Sequence, residues 1–276
     1  MSDSGSQAQT ADFLIGTSGY SYDDWVGPVY PEGASRSAFL DHYAALFNFT
    51  EVNYTYYSLP AERTSSGMAE RTPAEFRFVV KGHRSITHAR EPGWSEHVKR
   101  FRAGIAPIAD ARKLSGVLLQ FPFSFHYTTE NRRYLAALCA AFDRTRLFLE
   151  FRNSEWQKEN VYSHMEAEKL EYVVTDMPRL EGLPETHLRV TGSTLYVRFH
   201  GRNSSNWWTG DRVTRYDYHY APEELSSWAR RIRRIAAAGT SLVILAFNNH
   251  ARGQAALNAA QLRSLLREEP PPPSVR

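Results

Sequence analysis

Apolar residues recur along this chain in eight short runs. They are "FLIGTS" from Phe13, "TEVNYTYY" from Thr50, "FRFVVKG" from Phe76, "GVLLQFP" from Gly116, "RLFLEFR" from Arg146, "EYVVTD" from Glu171, "TLYVRFHG" from Thr194 and "SLVILAFNN" from Ser241. Each is rich in β-branched or aromatic side chains, the composition that suits a pleated, buried surface. Between most of them the hydrophobic positions change to the helical period. Phe39, Tyr43, Leu46 and Phe47 share one helical face, and Leu135, Leu138, Cys139 and Phe142 share another behind a Thr128 cap. The segment "APEELSSWARRIRRIAAAG" is clearest: Pro222 suits a first helical turn, and Glu223 and Glu224 sit at the positive end of the dipole. Leu225, Trp228, Ile232 and Ile235 make one stripe, and Gly239 ends the helix.

Strand and helix patterns alternating eight times predict an α/β fold, the (β/α)8 TIM barrel. An open doubly wound sheet is the competing arrangement, but no Gly-x-Gly-x-x-Gly follows the first strand. The stretch between Asp176 and Thr194 holds little helical pattern, so one reduced or irregular helix is expected after strand 6. Residues 1–12 read as a disordered polar tail, 13–268 as one barrel domain, and 269–276 as a Pro-rich tail.

Strand side chains alternate between two faces. In "RLFLEFR" one face carries Leu147, Leu149 and Phe151, and the other Phe148, Glu150 and Arg152. In "TLYVRFHG" Leu195, Val197 and Phe199 oppose Tyr196, Arg198 and His200. Parallel strands are usually apolar on both faces because both are buried. Polar groups gathering repeatedly at the C-terminal ends therefore mark the barrel mouth, where substrates bind in this fold. The expected inner ring is Glu51, Asn53, Lys81, Gln120, Glu150, Arg152, Asp176, Arg198, His200 and Asn248. Its bland alternative is a self-satisfied ion-pair network plugging the barrel top.

Composition narrows the partners. The 276 residues carry a formal charge of +3, too little to demand nucleic acid, and 42% hydrophobic residues suffice for a sizeable core. Cys139 is the single cysteine and lies in a helical pattern, so it reads as a buried, inert thiol. The N-terminus lacks an apolar signal core, and no run approaches the ~20 apolar residues of a membrane span. A cytoplasmic protein with no membrane partner is expected.

The ring's chemistry suggests roles. Lys81, Arg152, Arg198 and Arg202 are candidates to hold a phosphate or carboxylate, with Asn53, Gln120, Asn248 and His88 as further binding groups. Glu150, Asp176 and His200, with Glu51 in reserve, are candidate proton-transfer residues. The first three are also acceptable ligands for a divalent metal, to which His83 and His88 are possible additions, but no His-Glu-x-x-His or Cys/His cluster supports a metal site. The "GTSG" turn from Gly16 offers backbone N–H groups to an anion, or is an ordinary connection. Trp25, Trp94, Trp156, Trp207 and Trp208 fall in expected loops, where they stack on sugars or bases or cover the barrel rim.

The blocks "GTSGYSYDDW…YP", "EVNYTYYSLP", "FRFVVKGHRSITH", "LLQFPFSF", "EFRNSEW", "YVRFHGR" and "FNNHARGQAALNA" together resemble the YecE-like family, a domain-of-unknown-function family with a TIM-barrel fold. The resemblance runs from about residue 13 to residue 266. It implies the fold and places the ring residues in the family's blocks, but implies no reaction. Three readings follow. The first is an enzyme acting by acid/base chemistry on a small anionic, phosphorylated or sugar-like substrate. The second is a nucleic-acid-binding or nucleic-acid-processing barrel, endonuclease-like by analogy of fold, using Arg230, Arg231, Arg233 and Arg234 and the loop tryptophans. The third is a non-catalytic ligand sensor.

Overall fold

The computed structural model describes residues 11–267 apart from Glu91. The expected Pro-rich tail and all but the last two residues of the expected N-terminal tail lie outside the described residues. Of those two, Asp12 already belongs to the first strand.

Eight parallel strands close into a barrel in chain order. They are β1 (Asp12–Ser18), β2 (Phe49–Val52), β3 (Arg77–Lys81), β4 (Leu114–Gln120), β5 (Leu147–Glu150), β6 (Glu171–Asp176), β7 (Thr194–Phe199) and β8 (Leu242–Phe247). The last strand pairs with the first from Asp12↔Leu242 to Thr17↔Phe247. The helices are α1 (Phe39–Leu46), α2 (Glu62–Glu70), α3 (Arg84–Thr87), α4 (Trp94–Asp110), α5 (Thr129–Ala141), α6 (Glu159–Ala167), α7 (Arg212–Arg215), α8 (Pro222–Ala236) and α9 (Gln254–Arg267).

Local signals act where the sequence placed them. Thr128 Oγ1 accepts from Asn131 N and caps α5. Pro222 opens α8, the Glu224 carboxylate accepts from Ala221 N, and Gly239 follows the helix at φ +101°. Leu225, Trp228 and Ile232 bury the stripe of α8 against the barrel. Between β6 and β7 there is no helix: Pro178, Gly182 and Pro184 interrupt that stretch too often for one to propagate. Met177 and Leu183 pack instead on Trp207, in a small apolar cluster of their own.

Alternation divides the buried apolar residues into two sets. Ile15, Val52, Val80, Leu149, Val174, Val197 and Leu245 face the helices in the large outer core. Leu14, Phe49, Val79, Leu118, Phe148, Val173, Tyr196 and Ile244 fill the barrel interior. The barrel is therefore packed with side chains through its middle, and the polar groups of the C-terminal strand ends collect above this plug. Cys139 is partly buried on α5, and burial pushes its thiol up to about 12, which leaves it protonated at neutral pH.

Candidate functional site

Directly above the interior plug sits a buried charged layer. Arg198, on β7, reaches across the barrel to β2. Its Nε donates to Glu51 Oε2 at 2.8 Å and its Nη2 to Glu51 Oε1 at 2.5 Å. Its Nη1 pairs with Glu150 at the end of β5. Tyr196 Oη donates to Glu51 Oε2 at 2.5 Å. Arg152 Nε pairs with the other Glu150 oxygen, and Arg152 Nη2 lies 3.1 Å from His200 Nε2. His200 Nδ1 in turn lies 3.1 Å from Asn248 Nδ2. Glu51, Glu150 and His200 are wholly buried, and Arg198 nearly so. Polar groups so removed from water are tolerated only because each has partners.

Those partners set the protonation states. Burial pushes the Glu150 carboxyl up, but Arg152, Arg198 and His200 outweigh it and hold the group well below the usual carboxylate range. Burial, reinforced by the Arg152 cation, depresses His200 well below an ordinary imidazole. At neutral pH the layer thus holds the Glu150 carboxylate between two guanidiniums, beside a neutral imidazole.

Above it opens a cavity of about 850 Å³ at the C-terminal mouth. Lys81, Arg152, Arg198, Asn53, Gln120, His88 and Asn248, all expected in the site, line it. Lys81 Nζ sits 4.7 Å from the centre of the Tyr56 ring. Among the described residues no hydrogen bond or ion pair reaches this amine. Burial lowers Lys81 first and the Arg198 cation lowers it further. Glu150 and Glu51 offset only part of this, and the amine comes down to about 7. Burial together with Lys81 and Arg152 brings His88 down to about 4. Asn53 Oδ1 and Arg215 Nε are buried with no hydrogen-bond partner among the described residues. Gln120 Nε2 donates to the Phe121 carbonyl.

Not every expected site residue is brought together. Asp176 does not join the ring. Val173 points into the barrel, so Asp176, three positions on, faces the helices, where it accepts from Arg202 Nε at 3.0 Å and Trp228 Nε1 at 3.3 Å. The trio of Glu150, Asp176 and His200 as metal ligands is therefore not assembled. Among the described residues no three His, Cys, Asp or Glu side chains are grouped to hold a metal ion. Arg202 is ion-paired with Asp176 and Glu224 and lines a separate small cavity with Trp228 and Arg231. The "GTSG" turn offers no open cradle, because Thr17 N donates to Tyr43 Oη and Gly19 N to the Glu51 carbonyl. His83 caps α3 by accepting from Ser85 N.

The tryptophans divide. Trp25 and Trp156 are core residues, with Trp156 stacked on Phe125 and Phe151. Trp94 begins α4 and is not in a loop. Only Trp207 and Trp208 line the cavity. None of the four α8 arginines is among its lining residues; Arg231 stacks on Trp228, and Arg233 reaches the Leu265 carbonyl.

Strand-end reasoning missed the loop contributions: Arg215, Tyr56, Tyr57, Phe123 and Tyr216 complete the wall. The aromatic density of "NYTYY" after β2 was the available signal for two of them. Four of the seven exposed large hydrophobic side chains among the described residues, Tyr57, Phe123, Trp208 and Val213, line this one cavity. Exposed apolar groups concentrated at one concavity mark a binding surface.

Residues 14–275 match the family model described as Protein of unknown function DUF72. The UPF0759 protein YunF of Bacillus subtilis is 31% identical over 268 residues, covering 91% of this chain and 94% of YunF. A crystal structure of a DUF72 family protein from Thermotoga maritima superposes with a TM-score of 0.85 at 35% identity, over 93% of this chain and 99% of that one. A DUF72 family protein from Enterococcus faecalis gives a TM-score of 0.82 at 25% identity, over 94% and 97% of the two chains.

Proposed function

This chain belongs to the DUF72 family, and we propose that its barrel mouth binds a small anionic, phosphorylated or sugar-like substrate and acts on it by proton transfer. The observation that carries this reading is the imbalance of engaged charge around the cavity. The floor carboxylates Glu51 and Glu150 are engaged by Arg198 and Arg152. The rim carboxylates are engaged too, Asp23 by Arg36 and Asp24 by the Arg252 backbone N–H. Lys81 has no anionic partner, Arg152 Nη1 donates to nothing among the described residues, and Arg215 adds a third cation. An anion entering here meets cations whose counter-charges are either absent or already shared.

Neutral groups add a preference. Asn53 Oδ1 lacks a donor, and a sugar hydroxyl supplies one. Trp208 at the rim offers a face for a ring. The proton-transfer role moves from the expected Glu150, Asp176, His200 and Glu51 to Lys81, a residue expected to bind. Glu150 and His200, fully engaged and held far from neutral pKa values, anchor Arg152. Lys81, near 7, is the group that exchanges protons at working pH.

Thermal unfolding against a panel of phosphorylated sugars, sugar acids and their uncharged parents tests the reading, with mass spectrometry of any protecting compound after incubation. Anionic members are expected to raise the melting temperature, and at least one to be converted. Protection by the uncharged parents equal to that by the anions would overturn it.

A further inference from the structure

Lys81 combines features that anion binding alone does not require. It stands at the C-terminal end of β3 and reaches the cavity. Its Nζ rests over the Tyr56 ring and has no hydrogen-bond or ion-pair partner among the described residues. A lysine meant only to hold charge gains by keeping a carboxylate close, yet here Glu51 and Glu150 are both taken by guanidiniums. By contrast the buried Lys113 donates to Ala69 O and Thr72 O at 2.6 Å each and lines no part of this cavity. A partly buried amine on the cavity wall beside fixed cations, with no hydrogen-bond or ion-pair partner among the described residues, is the arrangement of a carbonyl-directed nucleophile.

We propose that Lys81 is a covalent catalytic residue that forms an imine with a carbonyl substrate bearing an anionic group, a 2-oxo acid or a phosphorylated aldehyde or ketone. The proposal rests on the anion-binding reading for the substrate's charged end, which Arg152 and Arg215 hold. The neutral Lys81 Nζ adds to the carbonyl carbon to give a carbinolamine. The C–O bond then breaks, both amine protons leave with the oxygen as water, and a C=N bond remains; nothing is oxidised or reduced. Burial and the neighbouring Arg198 favour the neutral amine this requires, and Arg152 adds to them; Glu150, Glu51 and the face of the Tyr56 ring favour the charged form. His88, itself held neutral, adds no competing cation.

The chain has five lysines, which makes the test direct. Lys99, Lys158 and Lys169 are exposed and serve as internal controls. An ordinary lysine near pKa ~10.4 is free amine to well under 1% at pH 7, so selectivity for Lys81 is large if the assignment holds. The intact protein is incubated at pH 7 with pyruvate or glyceraldehyde 3-phosphate and sodium cyanoborohydride, and the reduced adducts are mapped by peptide mass spectrometry. At least tenfold more adduct is expected at Lys81 than at any exposed lysine, with inorganic phosphate suppressing it. Adduct spread evenly over the exposed lysines, or none at Lys81, overturns the inference. The anion reading is scored separately, by thermal protection with phosphate. Protection without a Lys81 adduct removes the imine and leaves the anion site. A Lys81 adduct that phosphate neither protects nor suppresses supports the amine chemistry and removes the anion site. Lys81→Arg, which has no nucleophilic amine, is expected to abolish the mapped adduct at position 81.

Discussion

Arg198 and Glu51 stand 147 residues apart in sequence and meet inside the barrel through two parallel hydrogen bonds, at 2.8 and 2.5 Å. This fork joins β7 to β2 across the barrel axis, and Glu150 extends it to β5. Its two-point geometry is one that lysine cannot reproduce. Breaking a buried pair by removing one partner costs about 3–5 kcal/mol, because the remaining charge is stranded. Glu51→Gln and Arg198→Met are each expected to lower stability by that order in urea unfolding. The double variant should cost less than the sum of the two. Strict additivity would mean the two side chains are not coupled.

Lys81 makes a prediction about pH. Its folded value is about 7 and its unfolded value about 10.4. Between these limits the unfolded chain binds more protons than the folded one, so this residue's contribution to stability rises with pH. Lys81→Met is therefore expected to gain most over the wild type at pH 7, with the gap narrowing toward pH 9. Taking the difference cancels the buried tyrosines common to both proteins. A gap that stays constant across pH 7–9, measured by urea midpoints, would show that the amine is not perturbed.

Asp176 separates structure from binding. Its carboxylate holds Arg202 and Trp228 on the helix side of β6. Asp176→Asn is expected to cost about 1–3 kcal/mol in stability, from weakened hydrogen bonding to buried groups. Ligand affinity at the barrel mouth should remain unchanged in a titration of the folded variant. A clear loss of affinity would return Asp176 to the site.

Gly201 follows His200 immediately and has φ +82°. A Cβ there would lie 2.6 Å from the Tyr218 Cβ. Gly201→Ala combines left-handed strain with that clash, so a loss above about 1 kcal/mol is expected in thermal or urea unfolding. Because the turn positions His200, the loss should be accompanied by weaker ligand binding.

Much of this was legible in the sequence because period-2 alternation is rigid. Once Phe148 is inside, Glu150 and Arg152 follow, and Tyr196 takes Arg198 and His200 with it. The rule failed at β6 because both faces of "EYVVTD" mix apolar and polar residues, Glu171 and Thr175 with Val173 and Asp176 with Tyr172 and Val174, so its parity had no visible anchor, and Asp176 fell on the outer side. Pairing was not legible. Glu51, Glu150 and His200 looked like a general acid/base set as residue types, and only the distances reveal that guanidiniums and Asn248 engage them. The loop wall was hidden for a third reason. Arg215 and Tyr216 have no period to fix their direction, and their place depends on how the chain returns after β7.

The central claim is that the barrel mouth selects for negative charge. Calorimetric titration with ribose 5-phosphate and with ribose, on the wild type and on Arg152→Lys, tests it most directly. Saturable binding of the phosphate ester is expected, at least tenfold tighter than ribose, weakened by added salt and reduced in the variant. Equal binding of ribose and its phosphate, or no saturable heat with either, would contradict it.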